Sequence, residues 1–253
     1  MELTILGSGT AVASVRRAPP GYLLRIERDL VLIDAGPGTM RRVMQSGADP
    51  GQVTHMFFSH NHLDHTGELA PWLFASRLPS SPRRTPLTIC GSAGFMKMLG
   101  ALREVYGHWL DAATYELRLV TMDGAKRSSV RFGDWGAEAH AVSHIESSLA
   151  CRITDGEGRV LAYTGDTDVC EALIPLARDA DLLLIEASFP DGGKVEGHLT
   201  PMEAAQIASQ AGARKTVLTH FYPACDAVDM LEQAGRHYKG EALLAEDGMR
   251  VRP

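Results

Sequence analysis

The apolar positions fall into short runs separated by glycine, proline and charged clusters, the pattern of a chain that interleaves strands with helices. Leu3 to Leu6, Gly21 to Glu27 and Leu30 to Ile33 read as strands, the last two forming a hairpin about Arg28-Asp29. Met40 to Gln45 reads as a short helix ended by Gly47. Val53 to Phe58 and Leu87 to Cys90 read as buried strands. Between and after them, Gly67 to Ala75, with Pro71 in its first turn, and Gly94 to Tyr106 read as helices. In the second, Phe95, Met98, Leu99 and Leu102 recur at helical spacing and belong to the core.

The second half begins strand-rich, with Tyr115 to Thr121, Ser129 to Phe132, Ala137 to Val142 and Ser148 to Ile153. Val160 to Thr164, Asp181 to Ile185 and Lys215 to Thr219 follow as strands, with Ala242 to Leu244 and Met249 to Val251 closing the chain. Helices are expected over Val169 to Ala177, from the capping box Thr200-Pro201-Met202-Glu203 as far as Gly212, and near Ala227 to Ala234. No linker or low-complexity segment divides the pattern. It predicts one domain over residues 1–253, of the α+β class: two sheets packed face to face and covered outside by helices, a four-layer αββα sandwich.

Composition narrows the class. Hydrophobic residues make up 45% and charged residues 22%, enough for a full core in a soluble globular protein. No apolar run is long enough to span a membrane, and Met1-Glu2-Leu3-Thr4 runs straight into a strand pattern without a secretory signal, so a cytoplasmic location is the default. Cys90, Cys151, Cys170 and Cys225 show no Cys-x-x-Cys spacing and read as buried thiols. The formal charge of -6 argues against broad non-specific nucleic-acid binding. Arg77, Arg83 and Arg84 flank the Pro79 to Pro82 loop and read as a solvated basic loop ahead of the alternative, a local nucleic-acid patch. Gly7-Ser8-Gly9-Thr10 is no dinucleotide fingerprint, because the third glycine would fall at Val12; it reads as a tight turn passing close to the site.

The candidate chemistry is concentrated in His60-Asn61-His62-Leu63-Asp64-His65, where four of six residues are metal-binding types. A His-x-His pair at a strand end aims both rings the same way, and Asp64 and His65 can face a second ion. Further ligands must come from elsewhere. His144, Asp166 and His220 each close an apolar or alternating run, as residues at an active-site edge do. His140 shares a strand face with His144, so either could be a ligand, with His140 the structural one. Asp34, at another strand end, reads as a carboxylate orienting a ligand histidine or, nearly as well, as a turn-forming aspartate.

His60-x-His62-x-Asp64-His65 followed by His144, Asp166 and His220 resembles the metallo-β-lactamase-fold hydrolases. Ile185-Glu186-Ala187-Ser188-Phe189 and Gly197-His198-Leu199-Thr200 resemble the ribonuclease Z branch. The resemblance implies two divalent ions, zinc before manganese or iron. It gives His60, His62 and His144 to one ion and Asp64, His65 and His220 to the other, with Asp166 bridging. It also implies Asp64, His198 and Glu186 as catalytic residues: a bridging hydroxide attacks phosphorus, and His198, its ring held by Glu186, protonates the leaving oxygen. The expected partner is a phosphodiester, either RNA or a small molecule, and a homodimer is left open.

The chain departs from that branch between His144 and Asp166. Only residues 145–165 lie there, too few for the arm that grips transfer RNA, so a smaller phosphodiester is at least as good a candidate. A lactonase or thioesterase remains the alternative activity, and a metal-containing binding module without catalysis the alternative class. A diiron oxygen- or nitric-oxide-reducing protein fits poorly, because that branch resembles His-x-Glu-x-Asp-His and His62 stands where its glutamate would be.

Overall fold

The computed structural model describes residues 1–253. Its first sheet contains β1 (Glu2–Gly7), β2 (Gly21–Ile26), β3 (Asp29–Ala35), β4 (His55–Phe57), β5 (Leu87–Gly91) and β6 (Leu117–Thr121). The second contains β7 (Ser129–Phe132), β8 (Trp135–Ala141), β9 (Leu149–Thr154), β10 (Val160–Tyr163), β11 (Leu182–Glu186), β12 (Lys215–Thr219) and β13 (Glu241–Leu244). The chain ends by adding β14 (Arg250–Val251) to the first sheet beside β1. Strand parity explains why these segments read as almost continuous hydrophobic runs. In β3, Val31 and Ile33 face the interior shared with the second sheet, while Leu30 and Leu32 belong to the outer cluster under the helices.

That outer cluster contains Val43 of α1 (Thr39–Gln45), Trp72 and Leu73 of α3 (Leu69–Ser76), and Phe95 and Leu99 of α4 (Ala93–Tyr106); a single turn, α2 (Leu63–Thr66), precedes α3. On the far side, α5 (Leu173–Ala177), α6 (Pro201–Ala211) and α7 (Met230–Gly235) cover the second sheet through Leu176, Ala204, Ala208 and Met230. The result is the expected αββα sandwich. No helix is long and apolar enough to cross a membrane.

Each sheet has a parallel half, β3-β4-β5-β6 in one and β10-β11-β12-β13 in the other. The carboxyl ends of parallel strands leave one edge for a site. Asp34 lies at the end of β3, His60 follows β4, Asp166 follows β10, Glu186 ends β11 and His220 follows β12.

Several sequence expectations are corrected. Strand β4 stops at Phe57, so His60 and His62 lie in a loop, and strand alternation is not what aims their rings. The expected helix over 169–177 forms only from Leu173, because Asp168 is drawn to Ser143 in an isolated antiparallel bridge. The helix expected over Gly67 to Ala75 forms as α3 from Leu69, two residues late, because Glu68 turns to accept from the backbone N–H of Gly38 and Met40, and the turn α2 ahead of it is unexpected. Arg83 is buried rather than solvated, donating to the carbonyls of Thr85, Pro50, Val53 and Pro86. Cys170 is only half-buried, whereas Cys90, Cys151 and Cys225 are buried. The Gly7 to Thr10 turn does approach the site: Phe221 N–H, next to His220, donates to Ser8 O at 3.0 Å.

Candidate metal centre

The structure brings all seven candidate ligands together. His60, His62, His144 and Asp166 form one group, and Asp64, His65 and His220 another, with the donor atoms of each group within 4.8 Å of one another. Asp166 lies between them, its Oδ1 at 3.4 Å from His65 Nε2 and its Oδ2 at 3.8 Å from His60 Nε2 and 3.3 Å from His220 Nε2. Helical turn α2 carries Asp64 and His65 on consecutive residues, and Asp64 Oδ2 reaches both His65 Nε2, at 3.7 Å, and His220 Nε2, at 3.5 Å. The backbone of His220 is left-handed (φ 62°), a conformation uncommon outside glycine that persists where the surroundings demand it.

The hydrogen-bond partners settle which nitrogens face inward. His65 Nδ1 donates to Asp34 Oδ2 at 2.8 Å, and His144 Nδ1 donates to the Gly197 carbonyl at 2.9 Å. The Ser59 hydroxyl donates to Asp34 and so accepts from His60 Nδ1 at 3.0 Å. Ser188 does the same on the other side, donating to Glu186 and accepting from His220 Nδ1 at 2.9 Å. Four Nε2 lone pairs are thereby left to converge on the carboxylates, the arrangement that metal-binding histidines need.

Charge and orphaned atoms test whether a metal fits. The carboxylates of Asp64 and Asp166 pair only with imidazoles, never with lysine or arginine. Burial disfavours ionised Asp166, yet the neighbouring His220 and His65 rings hold it well below the carboxylate range. Burial likewise opposes ionised Asp64, but the His220 and His65 rings beside it bring it down to about 2. His60 goes the other way, pushed well below the histidine range by burial and by His65, so it stays neutral as a ligand must. His60 Nε2 and Asp166 Oδ1 are buried without hydrogen-bond partners. Such atoms are costly in a dry interior unless something cationic sits among them. The donor set, imidazole with carboxylate, is that of zinc, manganese or iron, and the cluster fits divalent ions.

Comparison with known proteins agrees. A model described as the β-lactamase superfamily domain matches residues 30–221. The chain belongs to that superfamily. A ribonuclease Z from Haloferax volcanii is 31% identical over 99% of this chain and 94% of its own length. A protein of Mycobacterium tuberculosis described as uncharacterised is 34% identical over 100% of this chain and 93% of its own. Among solved structures, the short form of human tRNase Z superposes with a TM-score of 0.79 at 26% identity, covering 100% of this chain and 99% of that one. Within the β-lactamase superfamily the chain therefore falls in the ribonuclease Z-like branch. Its β9–β10 connection is a short turn at residues 155–159, so no arm projects there.

The branch motifs lie beside the cluster. His198 is buried, its Nδ1 at 3.1 Å from Glu186 Oε1, and its donor atom lies within 4.8 Å of those of Asp166 and His220. Burial works against the His198 imidazolium, but the hydrogen bond and charge of Glu186 prevail and hold its proton above the ordinary histidine range. Asp34 does orient a candidate ligand, His65: it is fully buried, with a left-handed backbone (φ 54°), and accepts from Ser59 N–H, the Ser59 hydroxyl, Tyr163 OH and His65 Nδ1. His140 is not part of the site. It is buried on β8 beside Glu138, and that strand ends at Ala141, before His144. Ser59 is not singled out by the sequence, and Ser188 stands in the branch motif without a role of its own, yet their hydroxyls set two histidine tautomers. The available signal was a small polar residue next to, or two residues after, a strand-end functional residue.

Proposed function

We propose that the protein is a dinuclear metal-dependent phosphodiesterase, with His60, His62 and His144 on one ion, Asp64, His65 and His220 on the other, and Asp166 shared. What carries the proposal is His198: an imidazole backed by a buried glutamate, beside the candidate metal ligands, is placed to give a proton to an oxygen leaving phosphorus. Two divalent ions, zinc before manganese or iron, would supply an acidified water and positive charge for the phosphoryl oxygens. The protein's own part is positional. Asp34, Ser59, Ser188 and the Gly197 carbonyl hold the Nδ1–H sides of His65, His60, His220 and His144 so that their Nε2 sides converge. Glu186 holds His198 Nδ1, which leaves its Nε2–H for the leaving group.

The substrate we favour is a phosphodiester smaller than a whole transfer RNA, since a net charge of -6 and the short β9–β10 turn offer little to grip a large polyanion. The test is a hydrolysis screen of the metal-loaded protein on a bis-aryl phosphodiester, cyclic nucleotides, precursor transfer RNA, lactones and thioesters. Turnover of phosphodiesters above the carboxylic esters is expected. Turnover confined to lactones or thioesters would replace the proposal with an ester hydrolase.

A further inference from the structure

From the polar ties around the 190–198 loop, and resting on the acid role proposed for His198, we infer that Lys194 is a positioning residue that locks this loop against the site. All three ammonium protons of Lys194 are used: Nζ donates to the His198 carbonyl at 2.6 Å, to Asp168 Oδ1 at 2.7 Å and to Glu203 Oε2 at 2.8 Å. Each acceptor belongs to a different part of the site. Asp168 lies two residues after the shared Asp166, and its backbone N–H donates to Ser143 O, next to His144. Its Oδ2 accepts from Gly197 N–H at 2.9 Å. Glu203 closes the capping box of α6 by accepting from Thr200 N–H at 2.9 Å.

Lys194 thus ties His198 to the segment bearing Asp166 and to the start of α6, and it separates two carboxylates that would otherwise repel. Gly197 completes the arrangement. Its φ of 85° turns its carbonyl towards His144 Nδ1, and a Cβ there would sit 3.1 Å from that nitrogen. A tether on the 194–198 segment therefore fixes both the candidate acid and the tautomer of one candidate ligand. A displacement of about 1 Å at such a group can cost about 100-fold in rate, so losing the tether should show in the chemistry.

The test uses the full chain carrying Lys194→Met, with Lys194→Arg as the conservative rescue and Lys194→Gln in reserve should the methionine variant fold poorly. Two readouts are compared. In metal-free protein, hydrogen exchange at Gly197 and His198 should rise about tenfold or more in Lys194→Met, with the amides of β11 and β12 unchanged. In metal-loaded protein, hydrolysis of a diester with a poor leaving group should fall about tenfold or more while an activated aryl diester changes little, and Lys194→Arg should recover most of that difference. Unchanged exchange at Gly197 and His198, or equal losses on both diesters, would overturn the inference. His198→Ala, run in parallel, separates the two claims: if it slows both diesters equally the acid role falls, while the exchange experiment still decides whether Lys194 holds the loop.

Discussion

The two sides of the candidate centre are held by different means. On the inner side His60, His65 and Asp34 are fully buried between the sheets, and Tyr163 OH and Ser59 complete a network in which Asp34 accepts four hydrogen bonds. On the outer side His62 is exposed, His144 is half-buried, and His198 sits on a loop held by polar ties to Asp168, Glu186 and Lys194. Packing fixes the inner candidate ligands, so damage there should weaken metal binding and stability together. The outer groups can be disturbed with the fold intact, so damage there should act selectively on the chemistry.

The substitution that would strike both sides is Asp166→Ala. It should lose both the activated water and the charge neutralisation, a fall on the order of 10⁴-fold if each is comparable to one oxyanion donor. Elemental analysis should show fewer than two ions, and wild-type turnover with full metal content would refute the shared role. On the outer side, His198→Ala should cost about 100-fold on a diester with a poor leaving group and far less on an activated one, with metal content and thermal stability unchanged. Equal losses in a paired kinetic assay would remove the contrast between the two sides.

Inner-side changes are expected to be smaller in rate and larger in stability. Asp34→Asn keeps the shape, and asparagine tolerates the left-handed backbone, but the charge behind His65 is lost. Metal affinity, read by competition with a chromogenic chelator, should weaken about 10- to 100-fold, and denaturant unfolding should show about 1 to 3 kcal/mol less stability. An affinity within a few-fold of wild type would mean that Asp34 only shapes the turn. The smallest effect is expected from Tyr163→Phe, which removes one of the four donors to Asp34: about 1 kcal/mol by the same unfolding measurement, with turnover nearly unchanged. A large loss of turnover would place Tyr163 closer to the chemistry than its 2% exposure suggests.

The same contrast explains what the sequence could reveal. The αββα layering was legible because strands such as β3 and β11 are apolar on both faces, and the run from His60 to His65 was legible because its chemistry is contiguous. His144, Asp166 and His220 were legible as ligand-type residues after apolar runs. Tertiary effects were not. Nothing local shows that β4 ends at Phe57, that the Ser143–Asp168 bridge delays α5 to Leu173, or that Arg83 turns inward to four carbonyls. Ser59 and Ser188 sit beside His60 and Glu186 in sequence, but the second partner of each, Asp34 or His220, comes from a distant part of the chain, as Asp168 does for Lys194.

The central claim is that these seven side chains hold two catalytic divalent ions, and it is tested most directly by metal titration. Protein stripped by a chelator should remain folded on its sheet-to-sheet core, show no phosphodiester turnover, and regain activity in step with ions added back, reaching a plateau near two equivalents per chain. Full phosphodiesterase activity in the stripped protein, or a plateau with no bound metal, would contradict it.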